Sequence, residues 1–548
     1  MNRPLALSLA VLLLAGCTKA VGTGTSGTPA GGGAHRHAAA HELIVGDTQD
    51  ISGLNPHLVS ALSLGNISEL TMAYLVRYGS DDRPVPELAT VVPTQANGGI
   101  SKDGLAITWH LRKGVKWADG APFDGDDVVF STNAVKNPKN NEVGSDGYDL
   151  ITKIDEPDKY TVVFHLRKPY SAYLPTFFGS AGANPCLLPK HILGKLASIN
   201  DAPYNSKPVG IGPYRVTEWV RSDHVTMEAN PYYWRGQPKI KRIVYKFVPD
   251  RNTALTQLET GEIDLWPYVS SAYYDRVKAL RGITVSRMPG YVYAHVDMNT
   301  SHPALRDPVV RAAMRLATDR LTIQQKLNHG TGIVQENQIT PSSPFYRPIA
   351  LVPFNIPEAN RLLDAAGWKR GRDGVRAKNG VRLAFNVAAG TGAPDVDQRI
   401  ELLRANWQQI GVTLSVQHYS QALLFGPFQQ GGILFGGKWD VATYGWQQTP
   451  DGDLRATNSC SQIPPKGENV TRLCDPQLEA ILAREAAAYD EAPRAAAITD
   501  GAHRISELVP YYVLYIQDNI HAYTSALTGW KPNATTPFDD LMDADVGA

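Results

Sequence analysis

The sequence predicts an α/β protein in two parts, the first rich in hairpins and the second alternating helices with strands. Three observations carry this. Apolar residues alternate in "ITWHLRKGVKW", where Ile107, Trp109 and Leu111 share a face, and again in "YTVVFHLRKP", as half-buried strands require. The stretch "VGIGPYRVTEWVRSDHVTMEANPYYWRGQPKIKRIVYKFVPD" carries a Gly-Pro turn, two alternating strands and an Asn-Pro break, and so reads as an antiparallel meander. Beyond Arg306, helical spacing gives way repeatedly to short strands, the pattern of a layered α/β unit. A chain of 548 residues is too long for one ordinary domain.

The first residues carry an export signal. Arg3 is the positive region, and "LALSLAVLLLA" from Leu5 to Ala15 is apolar but short for a bilayer span. It runs into "LAGC", Leu14 to Cys17. Small residues ahead of a cysteine resemble the bacterial lipobox, in which the cysteine becomes the lipidated new N-terminus. Residues 1–17 are therefore expected to be a lipoprotein signal, lipidated at Cys17. Residues 18–41, rich in Gly, Ser and Thr, read as a flexible tether with no core to bury. Their histidines, His35, His37 and His41, have the spacing of no closed metal site, and no metal is expected. Of the other cysteines, Cys460 and Cys474 flank a short polar loop whose oxidation export permits. Cys186 is left as a buried or free thiol.

The folded body begins with the strand "ELIVG" at Glu42. "DGAPFDGDDVVFSTNAV" turns into a helix that Asp124 caps, with Asp127 in the position of a capping-box acid. That reading needs no metal at the "DGDD" cluster. Hairpins fill the region from about Leu75 to Asn205. "RNTALTQLETGEIDLW" is a helix stopped by Gly261, then a short strand. Asp307 and Pro308 open the next helix, Pro357 opens another that Gly367 ends, and "QRIELLRANWQQIGVTLSVQHY" is a helix, Gly411, and a strand. "ELVPYYVLYIQDNIHAY" reads as a late strand pair returning to the first part. "YGWQQTPDGD", Tyr444 to Asp453, shows no apolar alternation and contains Pro450 and Gly452, so it reads as a loop. Its tryptophan, amides and acids suit a polar ligand with an apolar part.

Lys+Arg and Asp+Glu are both 53, and this balance argues against a nucleic-acid binder, which usually carries a basic excess. No HExxH, GxSxG or clear nucleophile–base pairing occurs, so the chain is not expected to be an enzyme.

Several motifs, in order, resemble one family. They are "PELA" at Pro86, "LRKGVKWADGAPFDGDDVVFS" at Leu111, "VGIGPYRVTEW" at Val209, "NPYYWRGQPKIKRI" at Asn230, "LETGEIDLW" at Leu258, "RDPVVRAAMRLATDR" at Arg306, "ANRLLDAAGW" at Ala359 and "WDVATYGWQQTPD" at Trp439. The chain is similar to the extracellular family 5 solute-binding proteins of peptide- and nickel-type ABC transporters. The resemblance implies a two-lobe periplasmic-binding-protein fold of type II with a hinge and an extra inserted subdomain. Lobe I would comprise residues 42–75, 206–295 and 515–548, the hairpin-rich subdomain residues 76–205, and lobe II residues 296–514. Tyr291 would lie near the hinge.

The resemblance also implies a function. The protein would capture a short peptide or similar polar solute and deliver it to a permease. It would be an exported monomer without cofactor, lipid-anchored to a membrane on its periplasmic or extracellular face. In peptide-binding members the ligand backbone forms strand-like hydrogen bonds to both lobes, and side chains sit in hydrated pockets. Tyr444, Gly445 and Trp446 match a ligand-contacting step, followed here by Gln447, Gln448 and Thr449. Peptide binders commonly carry an aspartate three residues after the tryptophan, paired with the ligand ammonium. Thr449 stands there instead, which leaves Asp451 as the first substitute and Asp50 as the second. Asp50, Ile51, Ser52 and Gly53 resemble the segment of the other wall. Family members often pair cysteines at the place of Cys460 and Cys474. The alternatives are a sugar or metal-chelate binder and a sensory receptor using the same trap; an exported hydrolase is disfavoured.

Overall fold

The computed structural model describes residues 41–145, 147–181, 185–391 and 394–547. The lipobox Cys17, His35, His37 and most of the tether therefore lie outside the described residues.

One ten-stranded sheet runs through the molecule. At its centre are two long antiparallel strands, Ile283–Met298 and Tyr511–Thr524. On one side follow Leu265–Trp266, Glu42–Asp47, Arg242–Phe247, His224–Ala229 and Tyr214–Val220; on the other, Val441–Gln447, Ala384–Gly390 and Thr413–Tyr419. The first group builds lobe I and the second lobe II, so the two central strands belong to both. Their register shifts between Pro289 and Tyr293, and such an irregularity bends a ladder locally. The expected lobe boundaries at residues 295 and 515 fall inside these two strands.

The local signals explain many of the elements. Asp124 caps the helix Gly125–Lys136, and Asp127 completes a capping box. Asp127 also accepts from Trp117 Nε1 at 3.1 Å and Lys190 N at 2.9 Å, so its carboxylate has protein partners. Asp307 caps Pro308–Leu316. Gly261 ends Arg251–Thr260 in the left-handed conformation, φ 74°, where glycine carries no Cβ penalty. The meander forms from Tyr214–Val220, His224–Ala229 and Arg242–Phe247. The inserted subdomain has its own three-stranded sheet, Ala106–His110, Thr161–Leu166 and Ile151–Asp158, over a core that includes Trp109, Trp117, Phe164 and Phe177.

Two elements differ from the sequence reading. The late strand pair is a single strand, Tyr511–Thr524. It passes from the lobe II core into lobe I, so its burial never settles into one alternation. Tyr444 to Gln447 is no loop but the end of the strand Val441–Gln447. The first four residues of that strand are buried on both faces, which removes the period-two signal.

Candidate binding cleft

The inserted subdomain and lobe II face each other across a cavity of about 330 Å³. Tyr148, Tyr170, Pro175 and Thr176 line it from the subdomain; Trp446, Gln447, Gln448, Thr449, Asp451, Thr457 and Glu468 line it from lobe II. Direct contacts close one end. Ser171 N donates to Ala486 O at 3.1 Å, Ser171 Oγ to Glu485 O at 2.8 Å, and Tyr170 N to Tyr489 Oη at 2.8 Å.

The strand Val441–Gln447 carries Trp446 to the cavity wall, where its ring meets that of Tyr444 at 5.9 Å. Gln448 is held from both ends: its N–H donates to Tyr291 O at 2.9 Å and its Nε2 to Asp453 O at 2.8 Å. The two acids beyond it are already paired. Asp451 Oδ2 accepts from Arg494 Nη2 at 2.7 Å. Burial raises the Asp451 pKa, and the Arg494 charge opposes that rise. Asp453 takes Arg455 through both oxygens, at 2.9 and 2.7 Å. Burial would raise its pKa, but the Arg455 guanidinium outweighs this and holds it at about 2. Burial raises Glu485 well above the usual carboxylate range, helped by the charge of Asp453. Asp451 is thus engaged with a protein cation rather than turned freely to the cavity.

The segment Asp50 to Gly53 does not line this cavity. Ile51 is buried in the lobe I core beside Leu54 and Leu64. Asp50 Oδ1 accepts from Ile51 N at 2.7 Å, and Ser52 O accepts from Arg221 Nη1 at 3.4 Å. Core packing of Ile51 turns the stretch toward the outer meander.

The sequence reading missed the subdomain tyrosines and, beside the expected strand end, Tyr293, His295, Asp297 and Tyr511. These four, with the expected Tyr444 and Trp446, line a smaller cavity that shares Trp446, Thr457 and Glu468 with the lining of the first. A signal for them exists in "YVYAHVDMN". Ala294, Val296 and Met298 face the lobe II core, so Tyr293, His295 and Asp297 must alternate to the other face. Near the same place Cys460 and Cys474 are joined, Sγ to Sγ, at 2.08 Å, and Cys186 is a buried free thiol. His41 Nδ1 lies 2.8 Å from Asp545 Oδ1. Among the described residues, no three His, Cys, Asp or Glu side chains are placed to hold a metal, and no helix is long and apolar enough to cross a membrane.

Two lobes sharing continuous strands around a mixed-polarity cavity define a ligand-trapping binding protein. The chain belongs to the bacterial extracellular solute-binding proteins, family 5, whose middle region matches residues 83–463. It is similar to the oligopeptide-binding protein AppA of Bacillus subtilis (strain 168), 26% identical over 441 residues that cover 78% of each chain. It is also similar to the probable di/tripeptide-binding protein 5 of Pseudomonas aeruginosa (strain UCBPP-PA14), 26% identical over 503 residues, 87% of this chain and 90% of that one. The solved structure of AppA with a nonapeptide shares the fold, with a TM-score of 0.75 at 22% identity over 92% of this chain and 99% of that one. NikZ from Campylobacter jejuni, solved with Ni(L-His), has a TM-score of 0.75 at 25% identity over the same shares.

Proposed function

We propose that this protein is the substrate-binding component of an ABC import system and that its cargo is a short peptide. The observation that carries the reading is the cavity itself. About 330 Å³ lies at the lower end of the range for small-ligand sites, and amides, hydroxyls and tyrosines line it together. Gln447 and Thr449 supply donors and acceptors for a peptide backbone, while Gln448 is held by Tyr291 and Asp453, and Trp446 walls an apolar side chain. The names of the relatives, oligopeptide- and di/tripeptide-binding, support the same cargo. As a member of a solute-binding family, the protein captures and releases its ligand without converting it.

The rest of the proposal concerns its setting. Cys17 would be lipidated, and the tether would hold the body clear of a membrane, with anchoring that strengthens with each acyl chain. The partner would be a permease. The two central strands would serve as the hinge between lobes, and the Cys460–Cys474 bond would brace the loop beside the cleft.

The decisive experiment is mass spectrometry of small molecules released when the exported protein is purified without added ligand and then denatured. Peptides of a few residues are expected. A sugar or a metal chelate in their place, with no peptide bound in calorimetry, would replace the cargo assignment.

A further inference from the structure

Tyr489 stands in the turn between the lobe II helices Pro476–Ala487 and Glu491–Leu508, yet its ring is seated in the inserted subdomain. Its hydroxyl accepts from Tyr170 N at 2.8 Å and donates to Gly104 O at 2.8 Å. The ring packs against the subdomain core, tilted by 53° to the Tyr173 ring with centroids 5.9 Å apart. Gly104 makes the seat. Its φ is 70°, and a Cβ there would come within 2.6 Å of the Tyr489 ring. A tyrosine of one lobe thus fills a socket that a bare backbone position leaves open in the other.

The neighbouring contacts join the same two bodies. Ser171 N and Oγ donate to Ala486 O and Glu485 O, and Arg494 donates to Ser171 Oγ. Arg83 meets Glu491 at 2.6 Å, but both are half exposed, and such a pair contributes little. The chain passes between the two sides of the sheet in the strands Ile283–Met298 and Tyr511–Thr524. The subdomain and the helices around Tyr489 therefore meet through noncovalent contacts, which break if the lobes part. Gly104, Ser171, Tyr173 and Tyr489 line neither the larger nor the smaller cavity. These contacts draw the walls together equally, whatever ligand lies between them.

We infer that Tyr489 is a latch that holds lobe II closed on the inserted subdomain and so scales the affinity for every ligand without touching one. A ligand gripped by both walls has an apparent dissociation constant equal to the intrinsic one divided by the closed fraction. Loosening the latch lowers that fraction and weakens all ligands by one common factor. The inference concerns the regulation of the proposed peptide site and rests on that reading.

Calorimetry with trialanine and N-acetyl-trialanine tests the common factor. Tyr489→Ala should weaken both by the same factor, about fivefold or more. Tyr489→Phe, which keeps the ring and loses both hydrogen bonds, should weaken both by less. Gly104→Ala should act like Tyr489→Ala by blocking the socket. Added to Tyr489→Ala, it should change affinity less than twofold, because no ring is left to exclude. That non-additivity separates the socket from a general effect on folding. Unequal factors for the two peptides, independent losses in the double variant, or no loss would overturn the latch. Electron spin distances between nitroxides at Lys153→Cys in the subdomain and Glu401→Cys in lobe II, both exposed, report closure directly. Without added ligand, Tyr489→Ala should move population to a second distance; an unchanged distribution would overturn the latch. If the native protein binds no peptide, the peptide reading falls, and the distances alone judge the latch.

Discussion

Arg494 donates to Asp451 Oδ2 at 2.7 Å, with both residues buried. The same guanidinium also donates to Ser171 Oγ and to Glu485 O. One cation therefore joins the inserted subdomain, the loop after Trp446 and the helix Pro476–Ala487 at the closed end of the cleft.

Removing that cation should be costly. Arg494→Met leaves the Asp451 carboxylate buried without its partner, a change that typically costs about 3–5 kcal/mol. Ser171→Ala removes one neutral partner and should cost about 1 kcal/mol. Urea unfolding of the three proteins checks the order. A loss for Arg494→Met no larger than that for Ser171→Ala would mean that the pair contributes little.

Asp451→Asn gives a second outcome. Because the carboxylate faces Arg494, its neutralisation should lower stability while weakening trialanine and N-acetyl-trialanine alike. A loss confined to the free amine, read by calorimetry, would return Asp451 to the role of ammonium partner.

The Cys460–Cys474 bond closes a loop whose ends are 14 residues apart in sequence. That loop carries Glu468, Val470 and Thr471, which line the smaller pocket. In the chain-entropy account such a closure stabilises by about 3 kcal/mol. Replacing both cysteines by serine should lower the unfolding midpoint and weaken ligand binding together. Binding unchanged within error would show that the loop holds its place without the bond.

Asp539 provides a pH dependence. Burial pushes its pKa up to about 8, with Arg77 opposing, and burial also drives Glu69 well above the carboxylate range. The folded state keeps the Asp539 proton where the unfolded chain, with a carboxyl near 3.9, has lost it. Its contribution is therefore fully present below about pH 4, declines as pH rises, and is gone above about pH 8. Asp539→Asn, which cannot ionise, should raise Tm more at pH 8 than at pH 5. A constant difference across that interval would remove Asp539 as the titrating group.

Sequence alone settles what is local. Asp124 with Asp127, Asp307 with Pro308, and Gly261 mark helix ends because a cap satisfies backbone groups within a few residues of itself. Period-two alternation reveals Ile107, Trp109 and Leu111, and the ordered motifs place the chain in its family. Tertiary structure decides what depends on distant partners. Tyr511–Thr524 pairs with Ile283–Met298 across more than two hundred residues, and only that pairing makes one strand of an expected two. Nothing local to Ile51 shows that it packs into the core beside Leu54 and Leu64. Asp451 looked like a free acid until Arg494, 43 residues away, claimed it. Asp297 was passed over because a single acid in an apolar strand says nothing until Tyr444 and Tyr511 arrive beside it from the two neighbouring strands. Caps and alternation act over a few residues, whereas a cleft forms between side chains whose separation in sequence carries no local signal of their meeting.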